Sequence, residues 1–182
     1  MSTAKRLRIM LMITVLFGLS SMGSMIQLSK ATKLHHMNYM YMTNVADLHE
    51  EVDKHVKIPL KKEKILEKLK SVEKSQTECL SLINWFDKVI VKLIKADDMI
   101  ALCQNDKLLL EQMLEDLHYH EGEIIDDPVL IDSLEHSTYV FTRNSRLLES
   151  PVELTGSFII KMAFWLIVPF SIFVIFFSIF IF

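Results

Sequence analysis

The residues best suited to chemistry fall in three short stretches. His35-His36-Met37-Asn38-Tyr39-Met40-Tyr41-Met42 concentrates imidazole and thioether donors. On a helix His36 and Met40 share a face, as do Met37 and Tyr41. Soft thioethers with imidazole suit Cu(I), so His35, His36, Met37 and Met40 are candidate ligands for copper. The plainer reading is a helix seam, since the chain holds 11 Met and uses the residue freely. The second stretch holds Arg143 and Arg146, with Thr142 and Asn144 beside them. Two guanidinium groups one turn apart suit capture of a carboxylate or another anion. The alternative is ion pairing with an acid such as Asp87 or Asp106. The third stretch is His118-Tyr119-His120, whose histidines point to different faces of a helix and are expected at the surface.

Cys79 and Cys103 are the only cysteines, too few for a disulfide framework. Catalysis finds no support, because the chain has no glycine-rich phosphate loop, HExxH, CxxC or nucleophile motif. The expectation is a protein that is not an enzyme and needs no cofactor, copper being the one metal its residues would suit.

Positioning these residues falls to helices and to the two ends of the chain. With 4 Gly and 4 Pro in 182 residues, turn-rich β-architecture is disfavoured. Ile9 to Ile26 is apolar and uncharged, and Lys5, Arg6 and Arg8 precede it, which favours a cytoplasmic N-terminus. The competing reading is a cleaved signal peptide ending near Gly18-Leu19-Ser20-Ser21. Met162 to Phe182 is a second uncharged run, long enough for a hydrocarbon core of ~30 Å, with Lys161 and Trp165 suited to an interface. Between them lie all 23 acidic residues and 16 of the 20 Lys and Arg. This acidic middle argues against a nucleic-acid partner. The expected division is therefore a basic N-terminus (1–8), a first span (9–27), an extracytoplasmic domain (28–157) and a second span (158–182).

Within that domain the spacing predicts four helices. A first runs from Leu28 to Lys57 with Leu34, Met37, Tyr41, Val45, Leu48, Val52 and His55 along one side, and Pro59 ends it. A second carries Ile65, Leu69, Val72, Gln76, Cys79, Ile83, Phe86, Ile90 and Leu93 at 4-3-4-3 spacing, a heptad seam. Its flanking lysines and glutamates read as a solvated face. A third starts near Asp97-Asp98, shows Met99, Leu102, Leu109, Met113 and Leu117, and closes at Gly122. Asp126-Asp127-Pro128 caps the fourth, whose inner side is Ile131, Leu134, Phe141, Leu148 and Val152, with Thr138 and Ser145 as polar members. Short connections between such helices imply an antiparallel four-helix bundle. With its middle turn near Ala96, Cys79 and Cys103 would differ in height by ~13 Å, so free, partly buried thiols are expected.

A basic start, a span continuous with a long helix, an up-down bundle and a second span resemble the sensor half of bacterial methyl-accepting chemotaxis receptors and of sensor histidine kinases. The resemblance covers the whole chain and rests on architecture. It implies an all-α protein of the inner (plasma) membrane, a homodimer in contact with lipid, whose bundle binds a small solute or a periplasmic protein. Such bundles capture amino acids partly through arginines, and motion of the last helix carries the signal inward. In that family a signalling domain follows the second span, so the receptor reading expects an encoded continuation after Phe182. The alternative is a two-span accessory or assembly subunit of a larger membrane complex, which expects a stop there.

Overall fold

The computed structural model describes residues 3–88 and 96–181, with side chains from 8–86 and 97–177. Its elements are helix α1 (Thr3–Asp53), strand β1 (Leu60–Lys61), α2 (Lys62–Lys88), α3 (Ala96–Tyr119), strand β2 (Ile124–Ile125) and α4 (Pro128–Ile181). The described residues are thus helical, apart from short connections and one two-residue antiparallel ladder pairing Leu60 with Ile125 and Lys61 with Ile124. That ladder was not expected, because two residues are too few to show strand alternation. Two helices, α1 and α4, are long and apolar enough to cross a membrane. The chain divides into two compact units, one of residues 1–33 with 155–182 and one of Leu34–Leu154.

Local signals explain the helix ends of the second unit. After Asp53, α1 tightens into a 3-10 turn over Lys54–Val56, and the Lys57 and Ile58 amides both donate to the Lys54 carbonyl before Pro59. This stop comes a turn earlier than Lys57. At the start of α4 the Asp127 carboxylate accepts the Val129 amide at 2.9 Å, and Pro128 fills the first helical position, where no N–H is needed. Gly122 is required by space: a Cβ there would lie 2.9 Å from the Ile124 carbonyl oxygen.

In the unit of residues 34–154 the four helical segments share one core. Leu34, Tyr41, Val45, Leu48 and Val52 of α1 are buried, as are Ile65, Leu69, Val72, Gln76, Cys79, Ile83 and Phe86 of α2. Ile90 and Leu93, expected to extend that seam, lie outside the described residues. Met37 and His55 are only half-buried. From α4 come Leu134, Thr138, Phe141, Ser145, Leu148 and Val152, with Ile131 half-buried. The third helix departs from expectation. Its buried line is Met99, Cys103, Asp106, Leu110, Met113 and Leu117, while Leu102 and Leu109 are half-buried at the side. A 4-3-4-3-4 seam therefore includes a carboxylate, which a search for apolar residues passes over.

Side-chain bonds tie each segment to its neighbours. Asn44 of α1 donates to the Ser71 carbonyl of α2 at 3.0 Å, and His49 meets Thr138 of α4 at 3.3 Å. Lys68 pairs with Asp47 at 3.1 Å, while Lys54 pairs with Glu50 and Glu51. These exposed pairs account for several lysines and acids as a solvated face. The ammonium of Lys54, hydrogen-bonded to Glu51, holds that carboxyl below its ordinary range.

In the other unit many large side chains face out and most of the buried ones are small, Ile159 being a large exception. Phe17 stacks on Phe170 and on Phe173 at 6.3 Å between centroids, beside Gly18. Ser21, Ser24, Ala31, Thr155, Ile159 and Ala163 are buried, whereas Leu16, Phe164 and Trp165 are exposed.

Candidate functional site

Helix α4 sets Arg143 and Arg146 three residues apart, hence on one outward face, and turns Asn144 inward. Both arginines line a groove of about 820 Å³ between α3 and α4. Leu102, Leu147 and Leu154 supply apolar wall, and Asp98 from the first turn of α3 brings a carboxylate. Both guanidinium groups are exposed, and among the described residues neither has an ion-pair partner. Asp106, one of the acids considered as their partner, is engaged elsewhere, and the side chain of Asp87 lies outside the described residues. Thr142 is not part of the groove lining; its hydroxyl donates to the Thr138 carbonyl at 2.8 Å.

Behind the groove lies a buried polar network that ties three helices together. Asp106 of α3, fully buried, accepts the Tyr41 hydroxyl of α1 at 2.5 Å and the Asn144 amide of α4 at 2.6 Å. Burial pushes the Asp106 carboxyl up to about 6, although both hydrogen bonds favour its charged form. The Tyr41 phenol is held well above its ordinary range, by burial first and then by the charge of Asp106. Asn144 thus belongs both to the groove and to the core. Its signal in the sequence was the pair of arginines around it. Asp106 would have been found only by allowing a charged member in the α3 seam.

Between α1 and α2 a smaller groove of about 320 Å³ is lined by His36, Met37 and Met40, together with Asn44, Lys74 and Glu78. Three of the four candidate copper ligands therefore share one concavity, and His35, exposed, is not in its lining. The Lys74 ammonium in the same lining opposes a cation. Among the described residues no group of three or more His, Cys, Asp or Glu forms a metal-ligand cluster.

The cysteines differ from expectation in two respects, their full burial and their relative height. Both are free thiols, and both are fully buried. They are not separated in height, however: the Gln76 amide donates to the Cys103 carbonyl, which brings the next turn of α2, at Cys79, level with Cys103. A hydrogen bond with Cys79 is the largest cause raising the Cys103 thiol above its ordinary range, followed by burial. At the far end of α3, His118 is exposed, while the His120 ring nitrogen meets the Ile124 carbonyl at 2.9 Å. No known protein family, curated protein or solved structure matches this chain.

Proposed function

We propose that the chain is a membrane-anchored sensory input module, with an antiparallel four-helix bundle outside the cytoplasm between two spans. The reading is a receptor that binds a small solute and passes helix motion inward, as the chemoreceptor resemblance implies. The observation that carries it is the pair of exposed guanidinium groups, Arg143 and Arg146, with no ion-pair partner among the described residues, in a groove with apolar walls. Two exposed guanidinium groups on one face are suited to a carboxylate supplied from outside, held by paired N–H donors. Asp98 at the same groove supplies the complementary charge for an ammonium group, so an amino acid with an apolar side chain fits the set. Asn144 links ligand contact to the buried Asp106–Tyr41 bonds, and α4 itself continues into the second apolar segment.

The test is calorimetric titration of the full chain in lipid nanodiscs against amino acids and small carboxylates. Saturable binding of a carboxylate is expected, with a thermal stabilisation worth about 2.7 kcal/mol at a ligand concentration of 100 times Kd. Arg143→Ala and Arg146→Ala should each weaken binding by roughly tenfold or more, the order of one charged hydrogen bond. Binding that survives the double variant, or no saturable binding across the set, overturns the assignment.

A further inference from the structure

Helices α2 and α3 run in opposite directions, and several contacts fix their register. The Lys62 ammonium donates to the His120 carbonyl at 2.5 Å, and the Lys62 amide donates to the Glu123 carbonyl at 2.9 Å. Farther along, the Gln76 amide donates to the backbone carbonyl of Cys103. Stepping one turn on from Gln76 along the same seam reaches Cys79, at the level where α3 places Cys103. Both cysteines are 1 % exposed, and they belong to the helix pair whose backbones approach most extensively. A disulfide needs this kind of approach, with Cα atoms within about 7 Å of each other.

We infer that Cys79 and Cys103 are a disulfide-forming pair that staples α2 to α3. Thiol–disulfide exchange accomplishes the step. A Cys thiolate attacks an oxidant of the disulfide class, such as oxidised glutathione, and releases one thiol. The second Cys thiolate then attacks the mixed disulfide and releases the other. Two S–H bonds are lost, one S–S bond forms, and the oxidant leaves as two thiols carrying both electrons and both protons. Because neither sulfur is accessible and the thiolate is the attacking species, exchange requires the two helices to part. The bond therefore closes as the unit folds, or during transient opening, and is protected afterwards. Its occupancy in the cell rests on the proposed extracytoplasmic location, since oxidising compartments are where disulfides persist.

The experiment equilibrates the full chain in detergent with oxidised or reduced glutathione in moderate urea, removes the urea, and then denatures and alkylates it. Oxidised samples should carry no alkyl group, run as monomers and yield a peptide joining Cys79 to Cys103. Reduced samples should carry two. Closure should also raise the melting midpoint by roughly 10 °C, and a Cys79→Ala variant should lose that redox-dependent shift. Two alkyl groups after oxidation, two glutathione adducts or chain-to-chain dimers would overturn the pairing. Alkylation of native membranes separates the two claims. A pair that closes in detergent yet stays reduced in the cell overturns the extracytoplasmic location and leaves the pairing intact.

Discussion

In the unit of residues 34–154, Tyr41, Phe86 and Phe141 are inside and Lys64, Lys70 and Glu73 outside, whereas the unit of residues 1–33 and 155–182 buries Ser21, Ser24, Ala31 and Ala163 and exposes Leu16, Phe164 and Trp165. The same helical backbone serves both, so the inversion reports what each outer surface must satisfy. Water rewards burial of large apolar groups by about 25 cal/mol per Å². An apolar solvent gives no such reward, and helices then pack through small residues and close contact. The polar groups differ as well. Asp106, Asn144 and Thr138 find partners in the first unit, although Asn38 Oδ1 and Gln76 Oε1 have none among the described residues. In the second, Ser24 is bonded to the Ser20 carbonyl, while the Ser21 and Thr155 hydroxyls have no partner among the described residues.

The largest break in this contrast should come from a core aromatic. Phe141→Ala removes a fully buried ring and should destabilise the 34–154 unit by about 3 to 5 kcal/mol in urea unfolding. Leu16→Ala, at an exposed position of the other unit, should change that transition by less than about 0.5 kcal/mol. Similar losses for both would remove the basis for treating the two surfaces as different.

Next in size is the pH response of Asp106. Folding raises its carboxyl from the ordinary 3.8 to about 6, so the folded chain holds this proton more tightly than the unfolded chain. Its contribution is therefore most favourable below pH 3.8 and is lost as pH rises through about 6, with no further change above. The loss amounts to about 3 kcal/mol at 1.36 kcal/mol per unit. Asp106→Asn, which can accept from Asn144 and donate to the Tyr41 oxygen, should abolish that slope between pH 4 and 7. Urea midpoints across this range check it, and an unchanged slope in the variant would assign the effect to other groups.

What could be read beforehand follows the same division between local and tertiary causes. The α2 seam was legible because nine members, all but Gln76 apolar, recur at heptad spacing, and the seven described ones, Gln76 included, are buried. Asp127-Pro128 was legible because capping acts within a few residues. The arginines stood out because the central region has only two. Asp106 was not legible as a core residue, since its burial depends on Tyr41, 65 positions away, and Asn144, 38 positions away. The meeting of Cys79 with Cys103 was missed for a related reason. Acids at Asp97-Asp98 marked a helix start correctly, but the register of α3 on α2 is set by tertiary contacts such as Gln76 with the Cys103 carbonyl. An error of a few residues in the assumed turn doubles into the height difference between two antiparallel helices.

The smallest effect sharpens the contrast through one hydroxyl in each unit. Thr138 Oγ1 donates to the Glu135 carbonyl at 2.9 Å and faces His49, whereas Thr155 Oγ1 is buried with no hydrogen-bond partner among the described residues. Valine matches threonine in shape and lacks the oxygen. At position 138 the exchange deletes the bond to the Glu135 carbonyl and the contact with His49, whose part-exposed ring keeps water and Asp53, so Thr138→Val should destabilise by about 1 kcal/mol. At position 155 it removes an unsatisfied group, so Thr155→Val should stabilise by up to about 1 kcal/mol. Urea titration reads the first and mixed-micelle denaturation the second. Opposite signs would mean that polar side chains are retained in one unit for the bonds they make. The same sign in both would mean that Thr155 has a partner once the apolar surface around it is covered.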